Sequence, residues 1–362
     1  MKKFCAILLS LCLVFAFAAC ASQVTPTNVS PTSSNLTAEP SKSAVKPTIK
    51  VAMLNETTYG GGGFSDYSRI GMETACKEFN IECKAMENVD IATVKNTIYT
   101  MVEQGYNLFL YPGAALKDVF IELAPQLPDV HFALFDVKAE GYDNIMSVAF
   151  REQEATYLVG ALAALESKTG TIGFIGGIEA ETIIRWESGF VAGAKTINPD
   201  IKIQIAYTGN FSDVAAGKST AAMMFNQGAD FIQAAAGAGN VGLYQLMQES
   251  KYTDKWAMGG GVDGQFSQAP NYIVAAPVKL VNNYTYLAVA SLIKGTWQGN
   301  KAFSVGVAEK GMDILYNKDC LLKVSDKNKA IIDKMRTDIL NGTLVPPSTR
   351  EALAKFVYPS YK

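Results

Sequence analysis

Short apolar runs that alternate with helix-periodic segments of roughly 10–15 residues predict an α/β fold built on parallel sheets. Two further observations extend this. The alternation stops near Arg151 and then starts again, so two doubly wound lobes stand in tandem. The tail that follows is too short for a third domain, and several chain crossings distribute it over the two lobes. Such crossings leave a hinged cleft, and open α/β sheets take ligands at the carboxyl ends of their strands.

The first lobe opens with Ile49-Lys50-Val51-Ala52-Met53-Leu54, a run suited to a buried parallel strand. A helix is expected over 66–79, where Ile70, Ala75 and Phe79 recur on one side and Ser65 or Asp66 can cap it. A strand at 81–84 and a helix at 91–104 follow, then a strand at 107–111, a helix at 116–127 and a strand at 131–135. After Arg151 the order is helix 152–165, strand 171–175, helix 182–196, strand 201–206, helix 215–227, strand 231–235, helix 241–249 and strand 256–260. The tail holds strand 273–276, helix 278–293, short strands near 303–307 and 313–316, and a last helix at 329–340. The expected division is 47–149 plus 274–300 for the N-terminal lobe, and 150–273 plus 301–362 for the C-terminal lobe.

The first twenty residues carry Lys2 and Lys3, an apolar run from Ala6 to Phe17, and small residues before Cys20. This is an export signal, too short to span a membrane stably. Phe17-Ala18-Ala19-Cys20 resembles a bacterial lipobox, which implies cleavage after residue 19 and acylation of the Cys20 thiol. Lipidation would hold the protein on the extracytoplasmic face of the cell membrane. Residues 20–46 are rich in Ser, Thr and Pro and lack aromatics, so they read as a flexible tether. Beyond Cys20, the mature cysteines Cys76, Cys83 and Cys320 fit no framework and read as small buried hydrophobes.

Composition excludes several functions. The 362 residues hold 32 basic and 34 acidic side chains, so no electrostatic nucleic-acid surface is expected. The single histidine, His131, lies in an apolar strand and reads as a satisfied core residue. That leaves no histidine-cluster metal site and no Ser/His/Asp set, and no cofactor is expected.

The candidate ligand residues fall where strands end. Gly60-Gly61-Gly62-Gly63-Phe64-Ser65-Asp66 joins the first strand to the first helix and offers close backbone approach and free amides. It is neither a Walker A loop nor a dinucleotide fingerprint. Phe64 at its mouth can stack on a planar ligand. Asp136 and Asp263 follow strands in equivalent places of the two lobes, where carboxylates can accept hydrogen bonds from vicinal hydroxyls. Gly237 follows strand 231–235 in another strand–turn–helix loop, and Lys279 begins the late helix. Trp186, Phe190, Met223 and Met224 have helical spacings that read as core, and Arg185 reads as a solvated helix charge.

Several stretches in order resemble the basic membrane protein family of ABC-transporter substrate-binding lipoproteins, which includes purine-nucleoside receptors. They are Val148–Gly160, Gly173-Phe174-Ile175-Gly176-Gly177, Arg185-Trp186-Glu187-Ser188-Gly189-Phe190, Asn198-Pro199-Asp200, Gln227-Gly228-Ala229-Asp230 and Gly261-Val262-Asp263. The resemblance covers about residues 48–340. It implies a type I periplasmic-binding-protein-like fold, a nucleoside enclosed between two lobes, delivery to ABC permease subunits, and a monomer rather than an enzyme. Gly63-Phe64-Ser65 occupies the family's Ser-Phe-Asn position, so the stacking Phe is kept and Ser65 replaces Asn. The family's base-contacting aspartate falls on Asn55 counting back from Phe64, or on Glu56 counting from the strand start. Asp136 and Asp263 match ribose-contacting aspartates, and Gly237 and Lys279 match further polar contacts. The second stacking aromatic aligns with Ile232, with Phe231 one step away and Phe211 and Trp186 as weaker candidates. Exchanged base contacts leave another planar ligand such as riboflavin open, and so is a surface sensor with no transport role.

Overall fold

The computed structural model describes residues 48–60 and 62–361, with the backbone alone for residues 250, 263 and 264. The signal, Cys20 and the tether lie outside the described residues. The chain runs β1 (Lys50–Leu54), α1 (Phe64–Phe79), β2 (Glu82–Met86), α2 (Val94–Glu103), β3 (Leu108–Pro112), α3 (Lys117–Leu123), β4 (His131–Phe135) and β5 (Ile145–Phe150). It passes through Arg151 into α4 (Glu152–Glu166), β6 (Thr171–Gly176), α5 (Glu181–Ile197), β7 (Lys202–Tyr207), α6 (Val214–Asn226), β8 (Phe231–Ala235), α7 (Gly239–Met247) and β9 (Trp256–Met258). The tail contributes β10 (Ala275–Lys279), α8 (Val281–Ile293), β11 (Lys301–Val305), β12 (Met312–Tyr316), α9 (Asp326–Leu340) and α10 (Arg350–Ala354).

Two parallel sheets result, one ordered β11-β5-β4-β3-β1-β2 and the other β7-β6-β8-β9. In both, the first strand lies between the second and the third. That order creates a switch point, β1/β3 in one sheet and β6/β8 in the other, where a crevice opens at the carboxyl ends. Strand composition follows sheet position. The inner strands β3 and β8 are buried at every residue, whereas the edge strands β2 and β7 expose every second or third one. The β10–β12 pair is antiparallel and is tied to the β9 end of the four-stranded sheet by backbone bonds such as Gly259 N to Ala275 O at 2.7 Å.

Several expectations need correction. β5 was not foreseen, because the β4–β5 connection holds no helix and breaks the alternation that signals each strand. β11 pairs with β5 in the six-stranded sheet, one strand beyond residue 300. Gly63, not Ser65 or Asp66, caps α1; Asp66 reaches back to accept from the amides of Gly60 at 2.7 Å and Gly63 at 3.3 Å. Gly60 holds φ +104°, which glycine adopts without strain. Cys76 and Cys83 are not free: a disulfide joins them across a Cα–Cα distance of 6.2 Å. Asn80, left-handed at φ 51°, turns the end of α1 back so that β2 can reach it. Cys320 is free and buried, as expected. His131 is half-buried at the amino end of β4, edge-on to Trp297, and burial lowers its pKa.

Helices α4 and α5 pack with their backbones in near contact. A Cβ added at Gly193 would lie 1.8 Å from the Tyr157 carbonyl oxygen, and one at Gly160 would lie 2.1 Å from that of Phe190. Backbone cannot yield there, so Gly193→Ala is expected to cost about 1–3 kcal/mol in urea denaturation. An unchanged midpoint would show that α4 and α5 part freely.

Candidate functional site

A cavity of about 460 Å³ lies where the carboxyl ends of both sheets converge, within the ~300–1,000 Å³ range of small-molecule sites. The six-stranded sheet contributes Phe64 after β1, Pro112-Gly113-Ala114 at the end of β3 and Asp136 after β4. The four-stranded sheet contributes Ile178 after β6, Gly237 after β8 and Gly260-Gly261-Val262 after β9. Trp186 from α5, Phe211 from the β7–α6 loop and Lys279 complete the wall.

Lys279 is the last residue of β10 rather than the start of a helix, because β10 runs on through Pro277. β10 bonds β12 on one edge and the segment after β9 on the other, through the Ala275 carbonyl and the Lys279 amide, so the missing Pro277 donor leaves those bonds intact. The Lys279 amide donates to the Gly261 carbonyl at 2.7 Å, and its side chain is buried. Its ammonium lies 2.5 Å from Asp136 Oδ1 and 2.8 Å from Glu152 Oε1. It also lies 5.1 Å from the ring centre of Phe64 and 6.0 Å from that of Trp186. Glu152 opens α4, is fully buried, and takes the Arg185 guanidinium on its other oxygen at 2.6 Å. Burial alone would push the Lys279 ammonium down, but Asp136 and then Glu152 outweigh it and hold it above the usual lysine range. Asp136 sits in the left-handed region at φ 78°, a conformation of order 1–3 kcal/mol uphill for a residue with a Cβ. Its amide donates to Val148 O at 2.7 Å, which fixes that turn.

Of the residues singled out in the sequence, Phe64, Asp136, Gly237 and Lys279 meet at this cavity. Asp263 opens a 3₁₀ turn next to Val262, and its side chain lies outside the described residues. Asn55 and Ser65 do not line the cavity. They bond to each other, Ser65 Oγ donating to Asn55 Oδ1 at 3.0 Å, while Asn55 Nδ2 donates to the Thr57 carbonyl at 2.7 Å. This brace shapes the loop that presents Phe64. Glu56 is exposed and accepts from Tyr111 at 3.1 Å.

Phe231 and Ile232 do not line the cavity either. They start β8, roughly four residues and ~13 Å from its carboxyl end, and both are buried in core. Phe211 and Trp186 are the aromatics on that side. Gly237 explains the position of Phe211. It holds φ +58°, and a Cβ there would lie 2.6 Å from the Phe211 carbonyl, which accepts from the Ala238 amide at 2.8 Å. Arg185 is not a solvated charge, since its side chain is 13% exposed and paired to Glu152. Glu152 went unnoticed in the sequence. Its signal was a carboxylate on the first helical residue after a buried strand, where only a cationic partner makes burial tolerable.

Two parallel sheets sharing a cleft at their carboxyl ends make a type I periplasmic-binding-protein-like fold. A solute-binding protein from Aeropyrum pernix has the same fold, with a TM-score of 0.74, 22% identity, and coverage of 85% of this chain and 96% of that one. The family model for PnrA-like ABC transporter substrate-binding proteins matches residues 48–348, and the chain belongs to that family. It is similar to basic membrane protein A1 of Borrelia garinii, 30% identical over 318 residues, covering 85% of this chain and 91% of the relative. It is also similar to the ABC transporter nucleoside-binding protein of Lactococcus lactis, 29% identical over 322 residues, covering 84% and 90%. The chain is a substrate-binding protein and not an enzyme.

The ion network makes a stability prediction. Lys279→Met leaves Asp136 without its cation and Glu152 with Arg185 alone, and a loss of roughly 3–5 kcal/mol is expected. The folded-state pKa of Lys279 lies above its unfolded value. Its contribution is therefore fully present below about pH 10.5 and fades as pH rises through the folded value. Denaturation of the natural protein and the variant from pH 7 to pH 11.5 checks this. Their difference should shrink at the alkaline end, and a constant difference would contradict the assignment.

Proposed function

We propose that the cavity encloses a nucleoside, with a purine as the favoured base, and that the protein hands it to an ABC permease. The observation that carries this is the pairing of aromatic rings with a carboxylate and an ammonium on one wall. Phe64 stacks on the base, while Phe211 or Trp186 closes its other face. Asp136 accepts from sugar hydroxyls, and Asp263 does so from the opposite sheet. The nucleoside-binding name of the Lactococcus lactis relative supports the reading. The two sheet-bearing lobes close over the ligand about the chain crossings at Arg151, at Leu280 and between β11 and β12. Cys20 carries the lipid that keeps the monomeric receptor at the membrane, and residues 20–46 give it reach.

Calorimetric titration with nucleosides, free sugars and riboflavin tests the ligand. Nucleosides should bind and sugars alone should not. Phe64→Ala should weaken nucleoside binding by roughly tenfold or more, as lost stacking does. Asp263→Ala should remove most of the nucleoside-induced thermal shift. Binding of riboflavin with nucleosides inert would replace the reading. For the anchor, Cys20→Ser should move the protein from the detergent phase to the aqueous phase on cell fractionation.

A further inference from the structure

We infer that Glu152, which does not line the cavity, makes the receptor prefer uncharged nucleosides over phosphorylated ones. This rests on the nucleoside reading above and deepens it. Among the described side chains that line the cavity, Asp136 and Lys279 are the charged ones. A lone ammonium at a cavity wall would be an invitation to a phosphate. This ammonium is already held by two carboxylates, at 2.5 Å by Asp136 and at 2.8 Å by Glu152.

Glu152 is locked in that task. It is fully buried, and its second oxygen holds Arg185 at 2.6 Å, while Arg185 reaches Glu181 at 2.7 Å. Rotating Glu152 toward solvent would take a carboxylate from two cations at once. The wall therefore offers donor geometry without surplus positive charge. An ammonium has three donors; one bonds Asp136 while Glu152 neutralises the charge as an ion pair, so donor capacity remains for a neutral hydroxyl or ring acceptor. A phosphate carries about −1.5 to −2 at neutral pH and would meet Asp136 with no uncommitted cation to offset it. In a partly desolvated cavity that repulsion is far stronger than in water.

Arg185 is not a lining residue and cannot serve a phosphate directly. Removing the Glu152 charge would leave Lys279 with Asp136 alone, and surplus positive charge behind the wall, while leaving every lining residue in place. Glu152 is thus a positioning residue that acts on the ligand through Lys279.

The test is the ratio of affinities for adenosine and adenosine 5′-monophosphate, measured by calorimetry on the purified full chain. The natural protein should favour adenosine by roughly a hundredfold or more. Glu152→Gln should narrow the ratio by about tenfold or more, through tighter binding of the monophosphate. Glu152→Asp keeps the charge and should keep the ratio, which a purely structural role does not demand. If Glu152→Gln does not fold, the double variant Glu152→Gln, Arg185→Gln removes the guanidinium that would otherwise lose its partner, still takes the carboxylate from Lys279, and should narrow the ratio in the same way. An unchanged ratio in folded Glu152→Gln, or in the double variant, overturns the inference alone. Failure of the natural protein to bind adenosine removes the nucleoside reading, and this inference with it.

Discussion

The Lys279 ammonium is the contact on which the site depends. It is buried, yet charged, because Asp136 and Glu152 face it from two directions. Asp136 belongs to the six-stranded sheet, Glu152 starts the helix that leaves it, and Lys279 ends a strand tied to the β9 loop of the other sheet. One cation thus joins three chain segments at the place where the chain passes between the two sheets. Removing the cation strands Asp136 and leaves Glu152 with Arg185 alone, which is why such a group is kept once it is built. The aromatic rings of Phe64, Phe150 and Trp186 surround the same ammonium, so it also orients the wall that would stack on a base.

The sheets supply the rest of the geometry. Placing the first strand between the second and third in both sheets opens a crevice at each set of carboxyl ends. Helices α4 and α5 approach through glycines at 160 and 193, which set the spacing of the helices that carry Glu152 and Arg185. Gly237 lets the Phe211 backbone lie against the β8 turn and so brings an aromatic ring to the far wall. Small residues here act on the ligand indirectly, by deciding how near the large ones can come.

The fold was largely legible in the sequence. Alternating strand and helix signals gave the sheets, and β5 escaped because no helix precedes it. Phe64, Asp136, Gly237 and Lys279 were legible as strand-end residues, since topology carries strand ends to one place. Phe231 was misplaced because an aromatic near a motif was weighed without asking which end of its strand it occupies. Arg185 and Trp186 were set aside because helical spacing does not tell a core face from a cavity wall. Glu152 was missed because its significance lies in two cations far away in sequence, and its place after a buried strand is only a weak signal. The disulfide was hidden for a related reason: a spacing of seven residues between Cys76 and Cys83 takes meaning only once Asn80 turns the helix end onto the next strand.

One ammonium and its carboxylates, framed by aromatic rings, are proposed to hold a nucleoside between two sheets. A crystal structure of the protein with adenosine is the decisive measurement. The base should lie against Phe64, with Phe211 or Trp186 on its other face and sugar hydroxyls on Asp136, and Lys279 should still contact Glu152. Adenosine bound elsewhere, or seated in the cavity with its sugar away from Asp136 and its base away from Phe64, would contradict this arrangement.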